Sequence, residues 1–78
     1  MELSEKVKRD AIFILDILKE KQVVAGKKPD AVAATVIYMA CIKNNQNISQ
    51  HDVSEISGIT QVTIRNRLKE FTKYVELI

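Results

Sequence analysis

The chain has 78 residues, a formal net charge of +2 and 46% hydrophobic residues, with two glycines and one proline. A chain this short forms one domain at most, and it is too apolar for a disordered tail and too poor in glycine and proline for a fibrous protein. One cysteine excludes an internal disulfide, and the charges throughout the first twenty residues argue against a secretory signal. We therefore expect a helix-rich intracellular globule.

The first predicted helix runs from Ser4, a candidate N-cap, to about Gln22. Its apolar residues recur at helical spacing and define one buried face: Val7, Ala11, Ile14, Leu15 and Leu18. Three further apolar residues, Ile12, Phe13 and Ile17, widen the apolar arc beyond that face. We expect this helix to contact neighbours on two sides.

A second helix is predicted to begin at Pro29, after a connection over residues 22–28 that contains Gly26. From Ala31 to Ile42 nearly every residue is apolar or small, so this helix has no polar face to present to water. The apolar run is about twelve residues long, whereas a membrane span needs roughly twenty. The pattern therefore indicates a central, buried helix that ends in the polar stretch 43–47.

Capping signals predict a pair of helices in the last thirty residues. Ser49 is a candidate N-cap, with Asp52 three positions later, for a helix over residues 50–57. Gly58 can adopt the left-handed conformation that ends this helix, and Thr60 can cap the next one. The two helices would then share a three-residue turn.

The last predicted helix has an apolar face and a basic face on opposite sides. The first carries apolar residues at helical spacing, namely Ile64, Leu68, Phe71, Val75 and Ile78. The second carries Val62, Arg65, Asn66, Lys69 and Lys73. Four basic residues and one acidic residue give the stretch 61–75 a charge of +3. The outward face is thus basic, amide-bearing and, at its start, apolar.

A short helix, a glycine-containing turn and a longer basic helix are typical of a helix-turn-helix, here at about 49–76, whose second helix enters the major groove of DNA. Residues near the start of that helix contact bases, and basic groups farther along contact phosphates. The predicted base contacts are Gln61, Val62, Arg65 and Asn66. The predicted phosphate contacts are Gln50, His51, Arg67, Lys69 and Lys73.

Two alternatives to this interpretation stay open from the residue pattern alone. Lysines on an outer face usually serve only solvation, and the chain would then be a protein-interaction module whose basic helix is incidental. Val62 favours DNA, because an apolar residue among basic ones has little structural use at a helix start, although it could instead pack against a missing neighbour. A dimeric bacterial-type repressor is least favoured, since no heptad or spare apolar helix supplies a dimer face.

The sequence contains no pattern that indicates catalysis, a metal site or a cofactor. His51 is a lone imidazole that we expect to face solvent, since one histidine without cysteine or further histidine makes no metal site. Cys41 is interpreted as a buried small hydrophobe, because no base lies within reach of it in sequence. Paired carboxylates on an apolar face and a glycine-rich phosphate loop are both missing from the sequence. We therefore predict a protein that is not an enzyme.

Several segments together resemble the second cyclin-type repeat of transcription factor IIB, in particular its archaeal form, transcription factor B. The segments that match the family pattern are Gly26 to Pro29, Ala33-Ala34, Tyr38-Met39-Ala40, Gln50 with Val53, and Gly58 through Arg67. The most specific of them is the run Val-Thr-Ile-Arg-Asn-Arg at 62–67. Four residues differ from those that are commoner in the family, namely Ser49, Ser54, Ser57 and Leu68. These differences weaken the packing of the helix-turn-helix core without disrupting it.

The resemblance implies an all-α, cyclin-like bundle of about four to five helices, in which residues 1–78 form a single repeat and the family's first helix is missing. It implies part of a general transcription initiation factor that binds promoter DNA upstream of the TATA element, together with TATA-binding protein and RNA polymerase. The groove-contacting residues would be Val62 and Arg65, with Gln61 and Asn66 nearby. We expect a monomer in the archaeal cytoplasm and nucleoid, or in the nucleus of a eukaryote.

Overall fold

The computed structural model describes residues 3–75, which form four α-helices. These are α1 (Glu5–Glu20), α2 (Pro29–Lys43), α3 (Gln50–Ser57) and α4 (Gln61–Phe71). No strand occurs in this part of the chain, and the predicted all-α class is confirmed. The predicted starts of α2, α3 and α4 are also confirmed, because each helix begins directly after its predicted cap or at its proline.

Helix α2 lies at the centre of the fold and packs against the other three helices. The larger core cluster joins α2 to α1 and to the end of the chain that the structure describes, and its members are Val7, Ile14, Leu18, Val23, Val32, Val36, Met39, Ala40, Cys41, Phe71 and Val75. The smaller cluster joins α2 to the α3–α4 pair through Ala34, Val53 and Ile64. Because both sides of α2 are covered, its sequence has no polar face.

Of the three residues that predict a second contact side on α1, Ile17 packs against the larger core cluster, but Ile12 and Phe13 are exposed, so the expectation is wrong at those two positions. The Ser4 hydroxyl accepts a hydrogen bond from the Val7 backbone N–H at 3.2 Å and caps the helix as predicted. Ile12 and Phe13 are 62% and 56% exposed. The Lys43 ammonium lies 5.3 Å from the centre of the Phe13 ring, a cation–π contact that partly shields it.

A complete capping box fixes the start of α3. The Ser49 hydroxyl accepts from the Asp52 backbone N–H at 3.0 Å, and the Asp52 carboxylate accepts from the Ser49 backbone N–H at 3.1 Å. The hydrogen bond from that backbone N–H, followed by one from the Ser49 hydroxyl, lowers the pKa of Asp52 below its ordinary value. The cap therefore contributes fully above the ordinary carboxyl pKa, and its contribution is lost as the pH falls through the lowered value.

The turn between α3 and α4 depends on Gly58, which has a φ of 77°. That left-handed conformation is strained for residues with a side chain and ends α3, while the Gly58 N–H still donates to the Ser54 carbonyl at 2.9 Å. Two residues later the Thr60 hydroxyl accepts from the Thr63 backbone N–H at 3.2 Å and caps α4. The turn and both caps agree with the sequence prediction.

Helix α4 is shorter than the sequence predicts, because regular helical bonding ends at Phe71. The Thr72 N–H still donates to the carbonyl four residues back, but those of Lys73 and Tyr74 donate to carbonyls three residues back, so the chain tightens into a turn. Val75 is still only 7% exposed, since this turn directs it back onto the larger core cluster. Ile78, the last member of the predicted apolar face, lies outside the described residues.

Candidate nucleic-acid interface

The outward face of α4 presents four exposed side chains at helical spacing. Val62 is 60% exposed, and Arg65, Asn66 and Lys69 are exposed on the same face. Ile64, on the opposite face, is fully buried in the smaller core cluster. The predicted division of α4 into a buried and a basic outward face is therefore confirmed. Lys73 is also exposed, but it lies in the turn beyond the end of α4.

Gln61, another predicted base contact, lies at the edge of this face, where α4 meets α3. Its side chain is half-buried, and its Nε2 atom lies 3.2 Å from Nδ1 of His51. The other ring nitrogen of His51, Nε2, lies 3.4 Å from the Glu55 carboxylate one helical turn further along α3. The structure thus places Gln61, a predicted base contact, next to His51, a predicted phosphate contact.

The first turn of α3 carries the predicted phosphate contacts Gln50 and His51. Gln50 is half-buried, while the His51 side chain is 65% exposed, as expected for an imidazole that faces solvent. Two carboxylates lie near His51. Asp52 is the next residue and belongs to the capping box, and Glu55 is paired with the His51 ring. The surface around His51 is therefore more acidic than the basic stretch of α4 alone suggests.

Arg67 does not share the outward face of α4. It lies on the flank with Thr63 and Glu70, where its guanidinium donates to Glu70 at 2.8 Å. The Lys27 ammonium approaches the other carboxylate oxygen of Glu70 at 3.2 Å, so that Glu70 joins α4 to the connection between α1 and α2. Burial would raise the pKa of Glu70, but the hydrogen bonds and charges of Lys27 and Arg67 outweigh it and lower that pKa.

Two basic residues near α4 were missed by the sequence analysis. Lys27 and Lys28 line a groove together with Thr63 and Arg67, and this groove runs beside α4 on the flank away from α3. Periodicity within one helix cannot reveal such a contact, because the two lysines are more than thirty residues away in sequence. The one signal in the sequence was the Lys-Lys pair directly before Pro29.

Within residues 3–75, Cys41 has a structural role. Cys41 is 1% exposed in the larger core cluster, and burial raises the pKa of its thiol, in agreement with the prediction of a small buried hydrophobe. No three His, Cys, Asp or Glu side chains in this range come close enough together to hold a metal ion. None of the four helices is long and apolar enough to cross a membrane.

The fold and the basic outward face together define a small all-α domain that ends in a closely packed helix pair. Residues 1–74 match the family model described as Transcription factor TFIIB repeat. The chain therefore belongs to the TFIIB repeat family, as its resemblance to transcription factor IIB predicts, and the cyclin-like helical fold of that family agrees with the four helices.

Archaeal proteins named transcription initiation factor IIB are similar to nearly the whole chain. The Sulfurisphaera tokodaii protein is 39% identical over 75 residues, which cover 96% of this chain and 24% of that protein. The Methanothermococcus thermolithotrophicus protein is 38% identical over 77 residues, with coverage of 99% and 23%. The Pyrococcus furiosus protein is 37% identical over 75 residues, with coverage of 96% and 25%.

The chain spans about a quarter of the length of these relatives. Their shared name is that of an initiation factor and not of an enzyme, in agreement with the prediction that this chain catalyses no reaction.

Proposed function

We propose that this chain serves in transcription initiation by binding duplex promoter DNA, with α3 and α4 acting as a helix-turn-helix and α4 lying in the major groove. The observation that carries the proposal is the outward face of α4, where exposed Val62 stands among Arg65, Asn66 and Lys69. The major groove is about 12 Å wide and accepts a single α-helix. The match to archaeal initiation factors supports the same role.

The outward side chains have the chemistry that base recognition needs. Arg65 can donate two hydrogen bonds to guanine, and the amides of Asn66 and Gln61 can pair with adenine. Val62 can pack against the methyl group of thymine, which explains an exposed apolar residue on a basic face. We assign base contacts to these four residues, all within the first two turns of α4.

Phosphate contacts are proposed on both sides of α4. Lys69 and Lys73 follow the base-contacting residues along the chain, and Gln50 and His51 approach from the first turn of α3. A helix with its side chains is about 10–12 Å across and nearly fills the groove, so its other flank also faces a phosphate backbone. On that flank Arg67 would act together with Lys27 and Lys28, which line the same groove.

We extend the proposal to the larger assembly of the family. We propose that residues 1–78 form one cyclin-like repeat, with its helix-turn-helix at about 49–76, of a general initiation factor. This factor would act inside the cell with TATA-binding protein and RNA polymerase, on DNA upstream of the TATA element. The repeat itself is proposed to be a monomer.

The salt dependence of DNA affinity tests this proposal directly. Three to five phosphate contacts made by the lysine and arginine side chains, each contributing about −0.9, predict a slope of roughly −3 to −5 when the logarithm of the association constant is plotted against the logarithm of salt concentration. Fluorescence anisotropy with a labelled duplex containing a TATA element and its purine-rich upstream flank measures this slope. Absence of duplex affinity at low salt would contradict DNA binding.

Lys69→Ala is expected to weaken binding to all duplexes alike and to reduce the steepness of the salt dependence by about 0.9. The reason is that Lys69 lies one turn beyond the base-contacting residues and would contact only a phosphate. Lys6→Ala is the matched control, because it removes the same charge from an exposed position on α1 and should leave the slope unchanged. An effect of Lys69→Ala that depends on DNA sequence would contradict the phosphate role.

A second candidate function, protein binding, is favoured by the apolar surface of α1. Ile12 and Phe13 are adjacent, both more than half exposed, and they lie on a helix that takes no part in the proposed DNA face. In this alternative the basic face of α4 is incidental. Pairing Phe13→Ala with Lys69→Ala separates the two functions, since only Lys69→Ala should affect DNA affinity if the chain binds DNA.

A further inference from the structure

We propose that His51 is a positioning residue for base recognition: held by Glu55, it orients the side-chain amide of Gln61 so that this amide selects adenine. The inference rests on the proposed function and adds a specificity determinant to it. It also gives His51 a role different from the phosphate contact predicted by its position in the first turn of α3.

The observation behind this proposal is a chain of three polar side chains that crosses from α3 to α4. Nδ1 of His51 lies 3.2 Å from Nε2 of Gln61, and Nε2 of His51 lies 3.4 Å from Oε1 of Glu55. Each ring nitrogen therefore has one partner. Glu55 and His51 are one turn apart on the same helix, so the helix itself sets their spacing.

We take the His51 ring as neutral, and its two partners then set the direction of each contact. An ionised carboxylate only accepts, so the tautomer with its proton on Nε2 directs that N–H towards Glu55 across the 3.4 Å contact. Nδ1 then holds a lone pair, and it must accept an N–H from the Gln61 amide. One of the two Gln61 amide hydrogens is thereby occupied by His51.

The hydrogen-bonding groups that Gln61 does not use with His51 are complementary to adenine. When His51 takes the amide hydrogen that points away from the carbonyl oxygen, the second N–H and the carbonyl oxygen stay available, side by side, for a partner in the groove. Adenine presents an acceptor at N7 next to a donor at N6, and an amide pairs with this combination by two hydrogen bonds. Guanine presents two acceptors, N7 and O6, which the amide in this orientation cannot satisfy. A fixed amide therefore prefers adenine, whereas a freely turning one does not discriminate as well.

His51→Lys separates positioning from phosphate contact. A lysine ammonium can only donate, so it would draw the Gln61 carbonyl oxygen towards itself and leave N–H groups facing the base. As a phosphate contact, lysine would serve at least as well as histidine, for every DNA sequence. The positioning role thus predicts a loss of adenine preference, whereas the phosphate role predicts an unchanged preference.

The experiment measures dissociation constants of the 78-residue chain for a set of duplexes in which each base pair beneath α4 is varied singly. Wild type, His51→Lys, Gln61→Ala and the double variant are compared by anisotropy. We expect His51→Lys to lower the adenine preference at one position by about fivefold or more, the least that a bidentate base contact supplies. Gln61→Ala should abolish the same preference, and the double variant should lose no more than Gln61→Ala alone.

Two further variants sharpen the comparison. Gln46→Lys adds the same positive charge at an exposed loop position that lines the same surface depression as His51, and it should raise affinity for all duplexes without altering preference. Glu55→Gln should raise overall affinity, because it removes a negative charge near DNA, and should lower the adenine preference, because the ring is held less firmly. Circular dichroism on each variant checks that the exposed substitutions leave the fold intact.

A retained adenine preference in His51→Lys would overturn the positioning role while leaving DNA binding in place. A wild-type chain that binds no duplex would overturn the proposed function and this inference together. In the DNA-free protein, nitrogen chemical shifts of the neutral His51 ring provide an independent test. A proton on Nε2 is expected, and a proton on Nδ1 would contradict the arrangement.

Discussion

Phe71→Ala is expected to reduce the free energy of unfolding by about 3–5 kcal/mol, the usual cost of truncating a buried phenylalanine. Phe71 is fully buried and is the residue through which the end of α4 packs into the larger core cluster. A chain of 78 residues has a total stability of only ~4–12 kcal/mol at typical values per residue. Urea denaturation followed by circular dichroism measures the loss.

Phe13→Ala is the matched control for this substitution, since it makes the same chemical change at a helical position that is 56% exposed. It should alter stability by less than about 1 kcal/mol. If Phe71→Ala leaves no folded protein to measure, Phe71→Leu provides the number, with an expected loss of roughly 1–2 kcal/mol. Equal losses at positions 13 and 71 would contradict the packing of α4 against α2 and into the larger core cluster.

Arg65→Ala is expected to cost about 1–3 kcal/mol of binding free energy on a preferred DNA site and to leave the fold unchanged. Arg65 is exposed at the centre of the outward face, between Val62 and Lys69. No carboxylate in the described part of the chain lies within ion-pair distance of it, so its guanidinium is available for guanine. Competition binding between preferred and random duplexes measures the effect.

Arg9→Ala on the exposed side of α1 removes the same side chain and the same charge, and it should have no effect on preference. An equal loss for Arg65→Ala on preferred and random DNA would identify Arg65 as a phosphate contact only. A loss of thermal stability in Arg65→Ala would be unexpected as well, because the side chain is exposed and carries none of the core.

Helix starts could be predicted well from the sequence because the signals that fix them are local. Ser49, Thr60 and Pro29 act within three or four residues of their own positions, and Gly58 supplies a backbone conformation that other residues rarely adopt. The outward face of α4 was predictable for the same reason. Val62 and Arg65 are three residues apart and so share one face of α4, whereas Ile64 lies on the buried side.

Features that depend on tertiary contacts could not be predicted in this way. Periodicity assigned Phe13 to a packed side of α1, yet it is 56% exposed among residues 3–75. It also treated Arg67 as part of a basic helix, whereas Glu70 pairs with Arg67 and, across to the α1–α2 connection, with Lys27. The contact between Gln61 and His51 joins two helices, and its geometry depends on how the turn at Gly58 brings them together.

The measurement that tests the central claim most directly is heteronuclear NMR of the isotopically labelled chain, titrated with a duplex that carries a TATA element and its purine-rich upstream flank. If α4 lies in the major groove, chemical-shift changes will concentrate on Gln50, His51 and residues 61–69, and they will weaken as salt is raised. Unchanged shifts even at low salt, or changes confined to Ile12 and Phe13 on α1, would contradict DNA binding through this helix pair.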